Sequence, residues 1–93
     1  MIIGSCTIDL MFYEPMSLKD KRQILRSLMD RIKKRFNVSI AEVDFHDQWR
    51  SSRLGIACVS NEKAHANSMI TSIINFIEKD GRVVVAGYHV ELL

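Results

Sequence analysis

Hydrophobic and polar positions alternate along residues 2–13, which is the pattern of a β-strand with one buried face. One side of the predicted strand carries a glycine and a row of apolar residues, namely Ile2, Gly4, Cys6, Ile8, Leu10 and Phe12. The other side is mixed and carries Ile3, Ser5, Thr7, Asp9, Met11 and Tyr13. Pro15 is expected to end the strand, because its ring fixes φ and it has no backbone N–H.

A helical period replaces the alternation after Ser17. Ser17 is a favourable N-cap, and Asp20 in the first turn suits the positive end of the helix dipole. Apolar residues then recur on one narrow face at Leu18, Leu25, Leu28, Met29, Ile32 and Phe36. The spacing predicts an amphipathic helix over residues 17–36, closed by Asn37.

A second helix is predicted over residues 61–79, with Ser60 or Asn61 as its cap. Its inward-facing residues are expected to be Ala66, Met69, Ile70, Ile73 and Ile77. Asp80 and Gly81 end this helix and turn the chain, and Gly81 is expected to supply a positive φ there.

Three further segments, residues 38–46, 52–59 and 82–93, have the composition of strands. In 52–59 the residues that alternate inward are Leu54, Ile56 and Cys58. The pattern in 38–46 is mixed, which indicates a bulge or a change of the covered face. Val38 and Ile40 share one face of that segment, and Ala41, Val43 and Phe45 share the other.

The order β-α-β-β-α-β predicts an α+β fold of the ferredoxin-like type, in one domain spanning residues 1–93. Right-handed crossovers would place both helices on one face of a four-stranded antiparallel sheet, with the first and third strands in the centre. The helices are expected to cover Cys6, Ile8, Leu10, Leu54, Ile56 and Cys58. The open face is expected to carry Ser5, Thr7, Asp9, Arg53, Gly55 and Ala57, with Val83, Val85, His89 and Glu91 of the last strand.

The net charge of +2 conceals a strong asymmetry. Residues 19–35 contain eight basic and two acidic residues, a net charge of +6, whereas the rest of the chain has five basic and nine acidic residues, a net charge of −4. On the first helix one stripe beside the buried face, interrupted by Asp30, is formed by Lys19, Arg22, Arg26 and Lys33. Cationic side chains at this spacing can contact successive phosphates.

The partner predicted for this helix from its charge is therefore polyanionic, either the phosphate backbone of a nucleic acid such as RNA or an acidic protein surface. The candidate binding residues are Lys19, Lys21, Arg22, Arg26 and Lys33. The alternative is an ordinary solvated helix face, in which Asp30 pairs with Lys33 or Lys34.

The open sheet face is a second surface to consider, because some proteins of this fold bind single-stranded RNA there. That mode requires aromatic rings on the central strands, and this face offers only Tyr13 at a strand end. Val83 and Val85 instead favour a homodimer, formed through the open sheet face or through an edge strand. A homo-oligomeric interaction module without nucleic-acid binding is thus the alternative function.

Clusters that suggest catalysis or metal binding are weak. Asp44, His46 and Asp47 lie near one another in sequence, but no further ligand follows at a characteristic spacing. Asp9 and His89 are predicted to be neighbours across two strands, where a structural hydrogen bond is favoured over an acid–base pair.

Other sequence features also favour a binding protein over an enzyme. The turn from Glu14 to Ser17 lacks the glycine of an acylphosphatase-like phosphate cradle. Cys6 and Cys58 are interpreted as reduced core residues. We therefore expect a non-catalytic protein with no cofactor, no metal and no small-molecule substrate.

The chain is expected to be cytoplasmic. Its apolar beginning lacks a basic region and a small-residue cleavage site and contains Asp9 and Glu14, so it is interpreted as a strand and not as a signal peptide. No apolar run approaches the roughly 20 residues that a membrane-spanning helix needs.

Four groups of residues occur in a recognisable order between Ser17 and Gly55. They are Ser17-Leu18-Lys19 with Lys21-Arg22, Phe36-Asn37-Val38-Ser39, Ala41-Glu42-Val43-Asp44, and Trp49 ahead of Leu54-Gly55. In these motifs the chain resembles the YlxP-like family of small bacterial proteins.

The resemblance implies a ferredoxin-like fold, and it carries over no catalytic residues. Genes of the family often lie near those of translation initiation factor two and ribosome-binding factor A, which implies a role near RNA or the ribosome. The residues that it emphasises are Lys19, Lys21, Arg22, Glu42, Asp44 and Trp49. Trp49 is expected either to cover the end of the hairpin or to contact a partner.

Overall fold

The computed structural model describes residues 1–14 and 17–93, so the predicted end of the first strand at Pro15 lies outside the described residues, as does part of the turn from Glu14 to Ser17. The described elements are β1 (Ile2–Phe12), α1 (Leu18–Arg35), β2 (Ser39–Asp44), β3 (Ser51–Ser60), α2 (Lys63–Glu78) and β4 (Val83–Leu92). Their bounds lie within two residues of those predicted.

The four strands form one antiparallel sheet in the order β2-β3-β1-β4, and both helices cover the same face of it. This confirms the predicted ferredoxin-like α+β fold. The six residues expected beneath the helices are all buried, namely Cys6, Ile8, Leu10, Leu54, Ile56 and Cys58. Among the described residues, neither helix is long and apolar enough to cross a membrane.

The helices fill the other half of the core with aliphatic side chains, which at roughly 1.5–3 kcal/mol for each one buried supply much of the driving force for folding. The buried aliphatic residues of α1 are Leu25, Leu28 and Ile32, and those of α2 are Ala66, Ile70, Ile73, Ile74 and Ile77. α2 approaches the sheet closely over Gly4. A Cβ atom at Gly4 would lie 3.0 Å from the Sγ of Cys58 and 3.3 Å from the Cβ of Ala66.

The two helices begin differently. The hydroxyl of Ser17 accepts a hydrogen bond from the backbone N–H of Asp20 at 3.1 Å, which confirms Ser17 as the N-cap of α1. The N-cap of α2 is Glu62, whose side chain makes no capping hydrogen bond, so neither Ser60 nor Asn61 is the cap. At the other end of α1 the C-cap is Phe36 and not the predicted Asn37.

β4 contains a bulge that the sequence pattern did not show. Leu10 of β1 opposes Val85, whereas Asp9 opposes Gly87, so Ala86 is an extra residue in β4. Successive side chains of a strand point to opposite faces of the sheet. One extra residue therefore moves every side chain that precedes it in β4 to the opposite face from the one the alternation predicts.

The bulge turns Val83 and Val85 towards the helices, where Val83 is buried and Val85 packs against the core. The prediction that these two valines lie on the open face is therefore wrong. Val84 occupies the open face in their place, opposite Met11. Beyond the bulge His89 lies opposite Thr7 on the open face, as predicted for that residue.

β2 also contains a register shift, between Glu42 and Asp44, so a bulge, one of the two irregularities predicted for this segment, is present. The side chain of the extra residue, Val43, lies over Gly55 of β3. A Cβ atom at Gly55 would be 2.9 Å from the Cγ1 of Val43, so a side chain at this position would require Val43 to shift.

The turn from α2 to β4 is held by a carboxylate. Gly81 does not have a positive φ, contrary to the prediction. Instead the backbone N–H of Arg82 donates to Oδ1 of Asp80 at 3.0 Å, and the Arg82 guanidinium donates to the two carboxylate oxygens at 2.9 and 2.7 Å.

Candidate nucleic-acid interface

Four of the exposed cations of α1 lie on one flank of the helix, with Asp30 between the last two of them. We call this surface the basic stripe: Lys19, Arg22, Arg26 and Lys33. Ser17 starts the helix, and from there spacings of three, four and seven residues place these side chains on one flank of α1. Leu25, Leu28 and Ile32 hold the adjacent flank against the sheet. The helix therefore presents the stripe to solvent while its neighbours are buried.

Few carboxylates neutralise the basic stripe. Nη2 of Arg22 lies 3.9 Å from Oδ1 of Asp47, and both side chains are largely exposed, so this pair is weak. Among the described residues no carboxylate lies within 4.0 Å of the charged groups of Lys19, Arg26 or Lys33. Three of the four cations are thus available to an anionic partner.

Lys21 does not belong to this surface, although the sequence places it among the candidate binding residues. Its side chain is completely buried, and its Nζ lies 3.0 Å from Oε2 of Glu42 in β2. The ammonium group also donates a hydrogen bond to the carbonyl of Phe45 at 2.7 Å, and the hydroxyl of Ser52 donates to Oε2 of Glu42 at 2.6 Å. Lys21 therefore makes contacts inside the protein and is not accessible to an external binding partner. It is removed from the predicted interface.

A helical-period signal for the burial of Lys21 was present in the sequence. Lys21 lies four residues before Leu25 and seven before Leu28, so it shares their face of α1. Its charge nevertheless favoured the prediction of an exposed position, since lysine is almost never fully buried without an oppositely charged partner. The partner, Glu42, lies beyond the rest of α1 in the sequence and could not be assigned without the position of β2.

The backbone has an unusual conformation at Phe45, the residue whose carbonyl accepts the hydrogen bond from Lys21. Phe45 has a φ of 64°, in the left-handed region that bulky residues rarely adopt. Its N–H bonds to Oδ1 of Asp44 at 2.8 Å, and Arg53 stacks on its ring with Cζ 4.9 Å from the centroid. The hydrogen bond from Lys21 to the Phe45 carbonyl completes the set of contacts that hold this turn.

The open face of the sheet carries an ion-pair cluster in the place where a stacking platform would need aromatic rings. Arg53 donates to the carboxylate of Asp9 at 2.6 and 3.4 Å and lies 3.5 Å from Asp44. The hydrogen bond to Asp9 raises the pKa of the Arg53 guanidinium above its ordinary value. Asp9 is thereby engaged with Arg53 and not with His89, so the predicted Asp9–His89 pair is not formed; His89 lies 3.1 Å from Glu91.

The three residues considered for a metal site are held apart by separate contacts. Asp44 is bonded to Arg53 and to the Phe45 N–H, whereas Nε2 of His46 lies 3.0 Å from the carbonyl oxygen of Glu42. Asp47 points towards Arg22. Within residues 1–14 and 17–93, no group of three or more His, Cys, Asp or Glu side chains is arranged to hold a metal ion.

The two cysteines are free thiols inside the core, in agreement with their predicted position. Burial raises the pKa of the Cys6 thiol to about 11, although a hydrogen bond with the backbone of His89 opposes that shift. Cys6 is therefore protonated near neutral pH, when it is a poor nucleophile. Trp49, in contrast, is half-exposed beside the β2–β3 connection, where it is accessible to a partner.

The comparisons with known proteins bear on the whole of this architecture. A family model described as "Protein of unknown function (DUF503)" matches residues 3–90. The chain belongs to the DUF503 family. It is 32% identical over 77 residues to "Uncharacterized protein YlxP" of Bacillus subtilis (strain 168), an alignment that covers 83% of this chain and 84% of the relative. The resemblance to a YlxP-like family is thereby confirmed. The matched region includes both helices, β2 and β3 in full, and β1 and β4 except for their outermost residues.

Proposed function

We propose that this DUF503 protein is a cytoplasmic, non-catalytic accessory protein that binds RNA, free or within a ribosomal particle, through the basic stripe of α1. The observation that carries the proposal is the exposure of Lys19, Arg22, Arg26 and Lys33 on one flank, three of them with no carboxylate within 4.0 Å among the described residues. A row of cations at helical spacing attracts the phosphates of a nucleic-acid backbone and releases its counterions.

The character of the stripe sets the expected mode of binding. Lysine and arginine contacts to phosphate position a nucleic acid but do not read its bases. The described residues place no aromatic ring on the central strands of the open face for base stacking. We therefore expect binding that depends strongly on salt and weakly on sequence, with a log–log slope of about −2 to −3 for three or four contacts to a single strand.

The experiment is retention of RNA by the double reversal Arg22→Glu/Arg26→Glu. Its matched control is Lys63→Glu/Lys79→Glu, in the first turn and at the C-cap of α2, which gives the protein the same net charge. We expect the α1 variant to lose retention on RNA and ribosomal particles while the control retains most of it. Circular dichroism and thermal unfolding should remain close to those of the unmutated protein in both, because all four side chains are exposed.

Two results would contradict the proposal. Equal losses in the two double variants would indicate attraction by net charge and not by the stripe. Failure of the unmutated protein to bind RNA at low salt would leave the stripe as a solvated helix face.

The alternative function, a homo-oligomeric interaction module, has an observation of its own. Exposed apolar side chains on the open face include Ile3, Met11, Val43, Val59 and Val84. Equilibrium sedimentation tests this alternative, with Val59→Lys as the variant because Val59 is 67% exposed. A dimer that Val59→Lys dissociates would support it, and a monomer at tens of micromolar would exclude it.

A further inference from the structure

We propose that the groove between the C-terminal halves of α1 and α2 is a binding site for a small phosphorylated molecule about the size of a mononucleotide. This groove, which we call the helix groove, has a volume of about 540 Å³. Its cationic lining consists of Arg31, Arg35 and Lys79. It lies on the flank of α1 that faces α2, whereas Arg22 of the basic stripe faces the β2–β3 connection. The helix groove therefore does not depend on whether the stripe binds RNA.

Two guanidinium groups of the helix groove lie against one aromatic ring. The Cζ atoms of Arg31 and Arg35 lie 5.1 and 5.4 Å from the centroid of Phe76, and Arg35 is also 5.9 Å from the ring of Phe36. The two rings pack edge to face at 5.8 Å. Side chains already ordered in this way lose less conformational entropy when a ligand binds.

The charges of the helix groove are unbalanced. Asp80 is the one carboxylate among its described lining residues, and its side chain is 5% exposed. Hydrogen bonds from Arg82, with a smaller electrostatic contribution from Arg31, hold the pKa of Asp80 below its ordinary value. That carboxylate is engaged by Arg82 at 2.7 Å, while Arg31 is more distant at 3.5 Å.

The other two cations lack such a partner. Among the described residues, no carboxylate lies within 4.0 Å of the charged groups of Arg35 or Lys79. Like charges brought together around one groove repel each other, and a bound dianion would relieve that repulsion.

The chemistry of the lining indicates the class of ligand. Planar guanidinium groups donate paired hydrogen bonds that match the oxygens of a phosphate, and lysine adds a mobile charge. Ser72 and Asn75 of α2 provide uncharged hydrogen-bonding groups beside these cations. The volume falls within the range of roughly 300–1,000 Å³ that is usual for small-molecule sites. A phosphate joined to a small polar body fits both the charge and the space.

The test is calorimetry and ¹⁵N NMR titration with adenosine monophosphate, inorganic pyrophosphate and adenosine, at constant ionic strength. We expect saturable binding of at least one phosphorylated probe with a dissociation constant in the range of about 0.1–5 mM, and at least tenfold weaker binding of adenosine. The shifted amides should lie around Ser72, Asn75 and Arg35. This mapping on the unmutated protein does not depend on the folding of any variant.

Arg35→Gln is the variant that removes one guanidinium, and Arg26→Gln in the basic stripe is its charge-matched control. Arg35→Gln should lower the affinity for the phosphorylated probe at least tenfold, whereas Arg26→Gln should change that affinity less than twofold. The proposal is overturned if neither phosphorylated probe saturates below about 10 mM, if the two variants weaken binding equally, or if the shifted amides lie along the stripe.

Discussion

The two helices cover the same face of one sheet, yet their outer surfaces and their attachments differ. α2 shows solvent an uncharged row of side chains (Asn67, Ser68, Thr71, Ser72 and Asn75) and packs on the sheet through aliphatic residues. α1 shows solvent the basic stripe and is attached at its first turn by the buried pair of Lys21 and Glu42. α2 demonstrates that a helix at this place in the fold needs no cationic outer face. The fold therefore accounts for Lys21 but leaves the stripe unexplained, which is why we assign the stripe to a partner.

The largest effect should come from removing the attachment of α1. Lys21→Met leaves the Glu42 carboxylate, which is 13% exposed, without its cation and the Phe45 carbonyl without its donor. Breaking a buried ion pair from one side costs about 3–5 kcal/mol, and urea denaturation measures that loss in the free energy of unfolding.

Two further variants determine whether this loss comes from the pair itself. Lys21→Met/Glu42→Leu removes both charges and should recover a large part of the lost stability, because the uncompensated carboxylate is gone. Arg26→Met removes one cation from the basic stripe and should change the unfolding free energy by less than about 0.5 kcal/mol. Equal effects of Lys21→Met and Arg26→Met would contradict the distinction between the two cations.

An intermediate effect is expected where α2 lies closest to the sheet. Gly4→Ala places a methyl group 3.0 Å from the Sγ of Cys58 and 3.3 Å from Cδ1 of Ile70, so buried neighbours must move. Overpacking of this kind costs about 1–3 kcal/mol. Gly87→Ala in β4 is the matched control, since nothing lies within 4 Å of its added carbon. Thermal unfolding should show a lower midpoint for Gly4→Ala alone, and a similar decrease in both variants would refute the close approach of α2.

The smallest effect concerns the first turns of the helices. Ser17→Ala removes the capping hydrogen bond of α1 and should cost about 1 kcal/mol. Glu62→Asp gives α2 a side chain that reaches its own first turn, which should add about 0.5 kcal/mol. Opposite signs in chemical denaturation would confirm that α1 is capped by a side chain and α2 is not; destabilisation by both substitutions would contradict it.

The fold was predictable because its elements have clean periods. The alternation in residues 2–13 and the repeat of Leu25, Leu28 and Ile32 each specify an element and its buried face. The positions of Cys6 and Cys58 follow directly from those periods. A prediction from such a local pattern does not require knowing which strands become neighbours in the sheet.

The features that the sequence did not reveal depend on long-range neighbours. Val83, Val84 and Val85 are identical in type, so their facing is decided by the extra residue Ala86 and not by any alternation. The pairing of Lys21 with Glu42 and the positive φ of Phe45 arise only when α1 docks beside β2. The stacking of Arg31 and Arg35 on Phe76 likewise requires two helices to meet.

The register shifts in β2 and β4 have a consequence for crowded solutions. Both lie in the strands at the borders of the sheet, whereas β1 and β3 in its centre pair without a shift. A border strand exposes unpaired backbone groups that invite strands of other molecules, and a bulge breaks the straight row on which such growth depends. β2 is also short, at six residues. These register shifts therefore disfavour the pairing of one copy of this chain with the border strand of another.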